Sequence, residues 1–173
     1  MKPSVTQLLD MLAKPALITW ANEQGLAGVN IKTMRDKAKL AGTSMHSQIE
    51  RKDFTDPTHA ANFARFMSDK ELIDQEQSIE TEWFVGRYDS RIKWRDLTYL
   101  IDYKKSRRHR VYFEHRLQLA AYGMGVAADR FAIVATPDFV PVEVALERHR
   151  KEYEGIMIAL SKIWQARQEI GES

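Results

Sequence analysis

Leu97-Thr98-Tyr99-Leu100-Ile101-Asp102-Tyr103-Lys104 decides the fold. Leu97, Tyr99, Ile101 and Tyr103 alternate with Thr98, Leu100, Asp102 and Lys104. That is the two-residue period of a strand, in residue types that suit a pleated surface. Asp102 and Lys104 therefore leave the same face, about 7 Å apart along the strand. Upstream, residues 83–94 also read as extended, with Phe84, Val85, Tyr88, Ile92 and Trp94. Asp89 and Asp102 stand symmetrically about Arg95-Asp96. A hairpin turning there, with two loop residues or four, sets the aspartates opposite each other, with β-carbons about 4.5–5.5 Å apart. Carboxylates that close repel, and one is pushed toward protonation unless a cation lies between them. Hard oxygen ligands suit magnesium or manganese. Lys104, on the same face, can offset the charge of a phosphate.

Outward from this core, Ser4-Val5-Thr6-Gln7 reads as a capping box, followed by the apolar stripe Leu8, Leu9 and Leu12. Pro15 opens a second helix over 16–24, with Leu17 and Trp20, which Gly25 is expected to stop. Residues 30–51 read as a long polar helix carrying Lys32, Arg35, Lys37 and Lys39, interrupted at Gly42. His46 and Glu50, four apart, share a face of it. Residues 58–68 form a short helix with Phe63, Phe66 and Met67 inward. Ile79, Thr81 and Trp83 alternate with Glu80, Glu82 and Phe84. On that pattern Glu82 is a solvated edge residue, and Glu80 is open between that and a place near the ion.

Lys104, Lys105, Arg107, Arg108, His109 and Arg110 form a basic run beginning within the acidic strand itself. Positive charge beside an acidic site suits a polyanion, because phosphate contacts supply most nucleic-acid affinity. Tyr112 and Phe113 follow, either to stack on bases or to be buried. Residues 112–126 read as a helix with Gln118 and Tyr122 on one face, and 130–136 as a buried strand. Residues 137–141 turn, and 142–170 read as the longest helix.

The 173 residues suit one domain: 1–70 helical with His46, 71–136 the sheet core, 137–173 a C-terminal helix. The absence of cysteine rules out disulfides, thiolate zinc sites and cysteine-held iron–sulfur clusters. A formal charge of +2 is too small to indicate nucleic acid by itself. No apolar run reaches membrane length, no Walker A pattern occurs, and Met1-Lys2-Pro3-Ser4 lacks a signal-peptide apolar region. An intracellular, cytoplasmic protein is expected.

Taken together, the ordered set His46, Gly86-Arg87-Tyr88-Asp89, Asp102-Tyr103-Lys104 and Gln118-Leu119-Ala120-Ala121-Tyr122 resembles the PD-(D/E)XK nuclease superfamily. It looks most like the RecB-type branch, with phage exonucleases and the mitochondrial genome maintenance exonuclease. Val5 to Leu9, Lys14 to Leu17 with Trp20, Gly42 to Met45 and Ile49-Glu50 extend the likeness, which spans about residues 4–135. The resemblance implies an α/β fold with a central mixed sheet flanked by helices. It implies Asp89, Asp102 and Lys104 as catalytic residues. Magnesium or manganese would be held by His46, Asp89, Asp102 and the carbonyl of Tyr103, with Glu50 or Glu80 behind these ligands or at a second ion. Gln118, Tyr122 and the basic run Lys105, Arg107, Arg108 and Arg110 would position DNA. The implied activity is hydrolysis of DNA from ends or as a single strand, by a stand-alone, cluster-free enzyme of phage or recombination type. A recombination or replication protein is an expected partner. The alternatives are a structure-selective endonuclease and a non-catalytic DNA-binding or inhibitory module.

Overall fold

The alternation of residues 97–104 becomes the central strand of a five-stranded sheet in this computed structural model. The structure describes residues 1–12, 15–105 and 109–171, with backbone only for residues 15–17, 20 and 38. The strands are β1 (Glu71–Glu80), β2 (Val85–Trp94), β3 (Leu97–Lys105), β4 (Arg130–Thr136) and β5 (Val140–Glu143), lying in that order across the sheet. All neighbours are antiparallel except β3 and β4. A parallel pair needs a crossover, and the helix of residues 113–125 supplies it. The β2–β3 hairpin turns on two residues, Arg95 and Asp96, at φ 51° and 61°. Positive φ at both loop positions matches the right-handed twist of the flanking strands.

Among the described residues there are six helices: α1 (Val5–Asp10), α2 (Pro15–Leu26), α3 (Ile31–Arg51), α4 (Pro57–Met67), α5 (Phe113–Gly125) and α6 (Arg150–Glu169). Each face of the sheet has its own apolar core. Leu100, Phe131 and Ile133 pack with Leu8 of α1, Leu117 and Ala121 of α5 and Met157 of α6. On the opposite face Tyr99, Ile101, Tyr103, Ala132 and Val134 pack with Met45 and Ile49 of α3 and Phe66 of α4. The mixed, helix-flanked α/β sheet expected from the sequence is therefore present. Among the described residues no helix is long and apolar enough to cross a membrane.

Four readings of the sequence need correction. Gly42 does not interrupt α3, which runs unbroken for 21 residues. One internal glycine costs only about 1 kcal/mol, and burial of Met45 and Ile49 holds the turn that follows. Gly25 likewise lies inside α2, and the turn comes at Gly28, φ 75°. Residues 79–84 are not one strand. The Thr81 hydroxyl accepts from the backbone N–H of Trp83 and Phe84 and ends β1 in a tight turn. Finally, residues 142–170 are not one helix. Val140–Glu143 returns along β4, Val144 and Leu146 enter the core, and α6 begins at Arg150.

Two glycines separate packing from flexibility. A Cβ at Gly125 would stand 2.8 Å from Ile79 Cβ, whereas one at Gly155 meets nothing within 4 Å. Gly125→Ala is expected to cost about 1–3 kcal/mol through overpacking. Gly155→Ala, inside α6, is expected to gain about 0.5–1 kcal/mol. Urea denaturation of both variants checks the opposite signs.

Candidate metal centre

The site forms where β2 leaves β3. Their ladder ends at Ser90↔Ile101, and one further step would set Asp89 against Asp102. Instead the Asp89 carboxylate accepts the Tyr103 backbone N–H through Oδ2 at 2.6 Å. Alternation in β2 also breaks here. Tyr88 belongs to the α1/α5/α6 core, while Ile92, four residues on, belongs to the other. In β1 the pairs Gln75↔Ser90 and Gln77↔Tyr88 bracket Glu76 and Asp89. Glu76 has φ 52°, a left-handed conformation that costs a side-chain-bearing residue on the order of 1–3 kcal/mol. Three adjacent strands thus bring Glu76, Asp89 and Asp102 into one row.

α3 supplies the imidazole. His46 Nε2 lies 3.0 Å from the Tyr103 carbonyl oxygen. With Nε2–H donating there, Nδ1 keeps its lone pair toward Asp89 Oδ1 at 3.5 Å and Glu76 Oε1 at 3.9 Å. One ligand atom each from His46, Glu76 and Asp89 lies within 4.8 Å of the others, so these three could hold a metal ion. Carboxylate oxygens with a single imidazole suit a divalent cation. The expected set is thus brought together in part. Asp102 stands outside this group of atoms, its Oδ1 and Oδ2 at 3.1 and 2.9 Å from Lys104 Nζ. The Tyr103 carbonyl faces His46.

The electrostatics are those of a buried acidic cluster. Burial, with Asp102 close by, pushes the Asp89 carboxyl well above the ordinary carboxylate value, and Lys104 and the Tyr103 N–H only partly oppose this. Burial also raises Glu76, against the pull of Arg87 and His46. Burial works against the Lys104 ammonium, but Asp102 and Asp89 outweigh it, so Lys104 holds its proton more tightly than a free lysine. Asp102 is 1% exposed. Its Oδ2 has the Lys104 charge nearby but no partner in hydrogen-bond geometry.

Gln118 and Tyr122 lie behind Lys104. Lys104 Nζ donates to Gln118 Oε1 at 2.9 Å, and Gln118 Nε2 donates to the Tyr122 hydroxyl at 2.9 Å. Tyr122 is buried, but its ring borders an open cleft of about 530 Å³ with Gly86 and Arg87. A Cβ at Gly86 would stand 3.0 Å from that ring and crowd it. Lys105, next in the strand after Lys104, is exposed, as is Arg110. Arg107 and Arg108 lie outside the described residues, as do Lys14 and the side chains of Leu17 and Trp20.

The two glutamates expected near the ion part company. Arg87 links Glu50 to Glu76, with Nη2–Oε1 at 3.6 Å and Nε–Oε2 at 2.7 Å. Glu80 is turned to solvent and paired with Lys2 at 2.7 Å, so it is not part of the cluster. Glu76, which the sequence reading passed over, takes the place considered for Glu80. Thr81 carried the signal. A turn centred on Glu82-Trp83 sets Asp89 against Glu76 rather than Glu80.

No family model and no curated protein matches this chain. Among solved structures it resembles the crystal structure of SSO0001, with 15% identity over 93% of this chain and 73% of that one, at a TM-score of 0.47. A likeness that loose carries no argument about the site.

A carboxyl whose folded pKa is raised favours the fold below its ordinary value of 3.8. That contribution is lost as pH rises from the ordinary value through the folded one, so the buried Asp89 carboxyl weakens the fold toward neutral pH. Asp89→Asn removes the charge and keeps an acceptor for the Tyr103 N–H. In chelator at pH 7.5 the variant is expected to melt above wild type, by roughly 2–4 °C for each kcal/mol gained. Added divalent metal should raise the wild-type Tm and leave that of the variant unmoved. A lower Tm for the variant in chelator would contradict the electrostatic reading.

Proposed function

We propose that this chain is a metal-dependent nuclease with a PD-(D/E)XK core of RecB type, hydrolysing DNA phosphodiester bonds as an exonuclease. One observation carries the reading. Asp89 and Asp102 are buried side by side where β2 and β3 part, with Lys104 two residues beyond and His46 against Asp89. Two buried carboxylates with one lysine leave an excess of negative charge that a divalent cation would relieve. The donor set fits magnesium or manganese: Asp89, Glu76 and His46 Nδ1, with Asp102 able to join by releasing Lys104. When bound, such a cation supplies an acidified water and a polarised phosphoryl oxygen.

The chain's own residues do the rest. Lys104 is an ammonium at neutral pH, so it offsets charge that builds on the phosphoryl oxygens rather than removing a proton. Gln118 and Tyr122 hold it at the required place through two hydrogen bonds. The Tyr103 carbonyl fixes the His46 tautomer that turns Nδ1 inward. Exposed Lys105, next to Lys104 in β3, offers a phosphate contact.

The test is cleavage of end-labelled linear single- and double-stranded DNA, beside closed circular DNA, in magnesium or manganese. Linear DNA should be degraded and circles spared. Lys104→Ala and Asp102→Asn should each slow cleavage at least about 100-fold, the scale on which one electrostatic stabiliser of a transition state acts. Glu80→Gln should behave as wild type. Wild-type rates in both site variants would remove the assignment, and cutting of circles would make the enzyme an endonuclease.

A further inference from the structure

The first half of α3 has no partner in either core. Among the described residues, the core on the Tyr103 face draws on this helix only at Met45 and Ile49, and the core on the other face does not draw on it at all. Residues 31–42 form the first half of the same helix, which touches α2 and β3. Leu40 is 70% exposed. Lys32, Arg35, Lys37 and Lys39 are all exposed, and among the described residues none has an ion-pair partner. One acidic residue, Asp36, lies among them.

Their phase on the helix is not random. At about 100° per residue, Lys39, Arg35 and Lys32 stand seven, eleven and fourteen positions before His46. They fall within about 40° of its direction. Lys37, nine positions before, points about 180° away. The stripe adjoins the face that Met45 and Ile49 turn to the sheet, so it looks along the side from which His46 meets Tyr103 and Asp89. Because α3 is unbroken from Ile31 to Arg51, the spacing of the three charges from the site is fixed. Fourteen residues of helix span about 21 Å.

We propose that Lys32, Arg35 and Lys39 form a phosphate-contacting rail on α3 that carries a nucleic-acid strand to or from the His46–Asp89 centre. The inference rests on the nuclease reading for what happens at that centre, but not for the binding itself. The occupant is a polyanion with regularly spaced charges. Three cations in a row, each about one turn from the next, with Asp36 the one acid among them, match a phosphate backbone. A neutral or apolar partner would leave them unpaired. The contacts carry no base information, so the rail gives affinity and direction without sequence preference.

The experiment is binding of a fluorescein-labelled 20-nucleotide single-stranded DNA in EDTA, followed by anisotropy from 50 to 300 mM salt. Chelation of the metal keeps the DNA whole during the titration. The combined variant Lys32→Ala/Arg35→Ala/Lys39→Ala should bind at least 10-fold more weakly at low salt. Its slope of log K against log salt should shrink by about 2, at about 0.7 for each phosphate that the variant leaves unneutralised. Lys37→Ala should keep both affinity and slope within about twofold and half a unit. Lys32→Arg/Arg35→Lys/Lys39→Arg should restore wild-type binding, and circular dichroism checks that each variant is folded. Equal binding by the combined variant and Lys37→Ala would overturn the rail. Loss of binding in the combined variant, alongside a wild-type protein that cleaves no DNA in metal, would keep the rail and overturn the nuclease reading.

Discussion

The site depends on one hydrogen bond, from the Tyr103 backbone N–H to the Asp89 carboxylate. A strand in the middle of a sheet normally spends its N–H groups on its neighbour's carbonyls. Here β2 leaves β3 after Ser90↔Ile101, and a side chain takes over a ladder position. The consequence is geometric. Asp89 is held at the plane of the sheet, where α3 on one face and α5 on the other can both reach the cluster. His46 arrives from the α3 face, and Gln118 and Tyr122 arrive from the α5 face through Lys104. Had the ladder continued, the carboxylates would project from one face and meet only one of these helices.

Burial makes the cluster costly, and the surroundings offset part of the cost. Arg87 ties Glu76 to Glu50 at the rim, and Lys104 neutralises Asp102 from behind. The left-handed backbone at Glu76 adds strain at the same place. Charge excess and backbone strain coincide at one point in the sheet, whereas the cores on either side are ordinary apolar packing. A fold tuned only for stability has no reason to concentrate its liabilities there.

Much of this was legible in the sequence. The alternation of residues 97–104 located β3, and the symmetry of Asp89 and Asp102 about Arg95-Asp96 located the hairpin. Both signals are local, since side-chain period and turn chemistry act over a few residues. The i, i+4 spacing of Gln118 and Tyr122 was also readable, but their hydrogen bonds to Lys104 were not, because they depend on how the helix packs across β3. Glu76 was missed for a related reason. Its neighbourhood, Asp74-Gln75-Glu76-Gln77-Ser78, has no apolar alternation to give a face. Ile79 to Phe84 looked like a better strand until the Thr81 turn cut it. Gly42 failed in the opposite direction. Propensity suggested a break, and tertiary burial of Met45 and Ile49 overrode it.

That continuity of α3 joins the two halves of the functional argument. A break at Gly42 would have left Lys32, Arg35 and Lys39 on a segment whose angle to the site was unfixed. An unbroken helix turns a basic composition into a direction, because each charge inherits its bearing from His46 through a rigid 3.6-residue repeat. The net charge of +2 said nothing about partners because it averages over faces. Resolved onto one helix, the charge is concentrated on the side that meets the carboxylate row. The acidic row and the basic stripe then have complementary placements. Carboxylates suited to a cation lie at the end of the proposed track for phosphates, and His46 sits where the two meet.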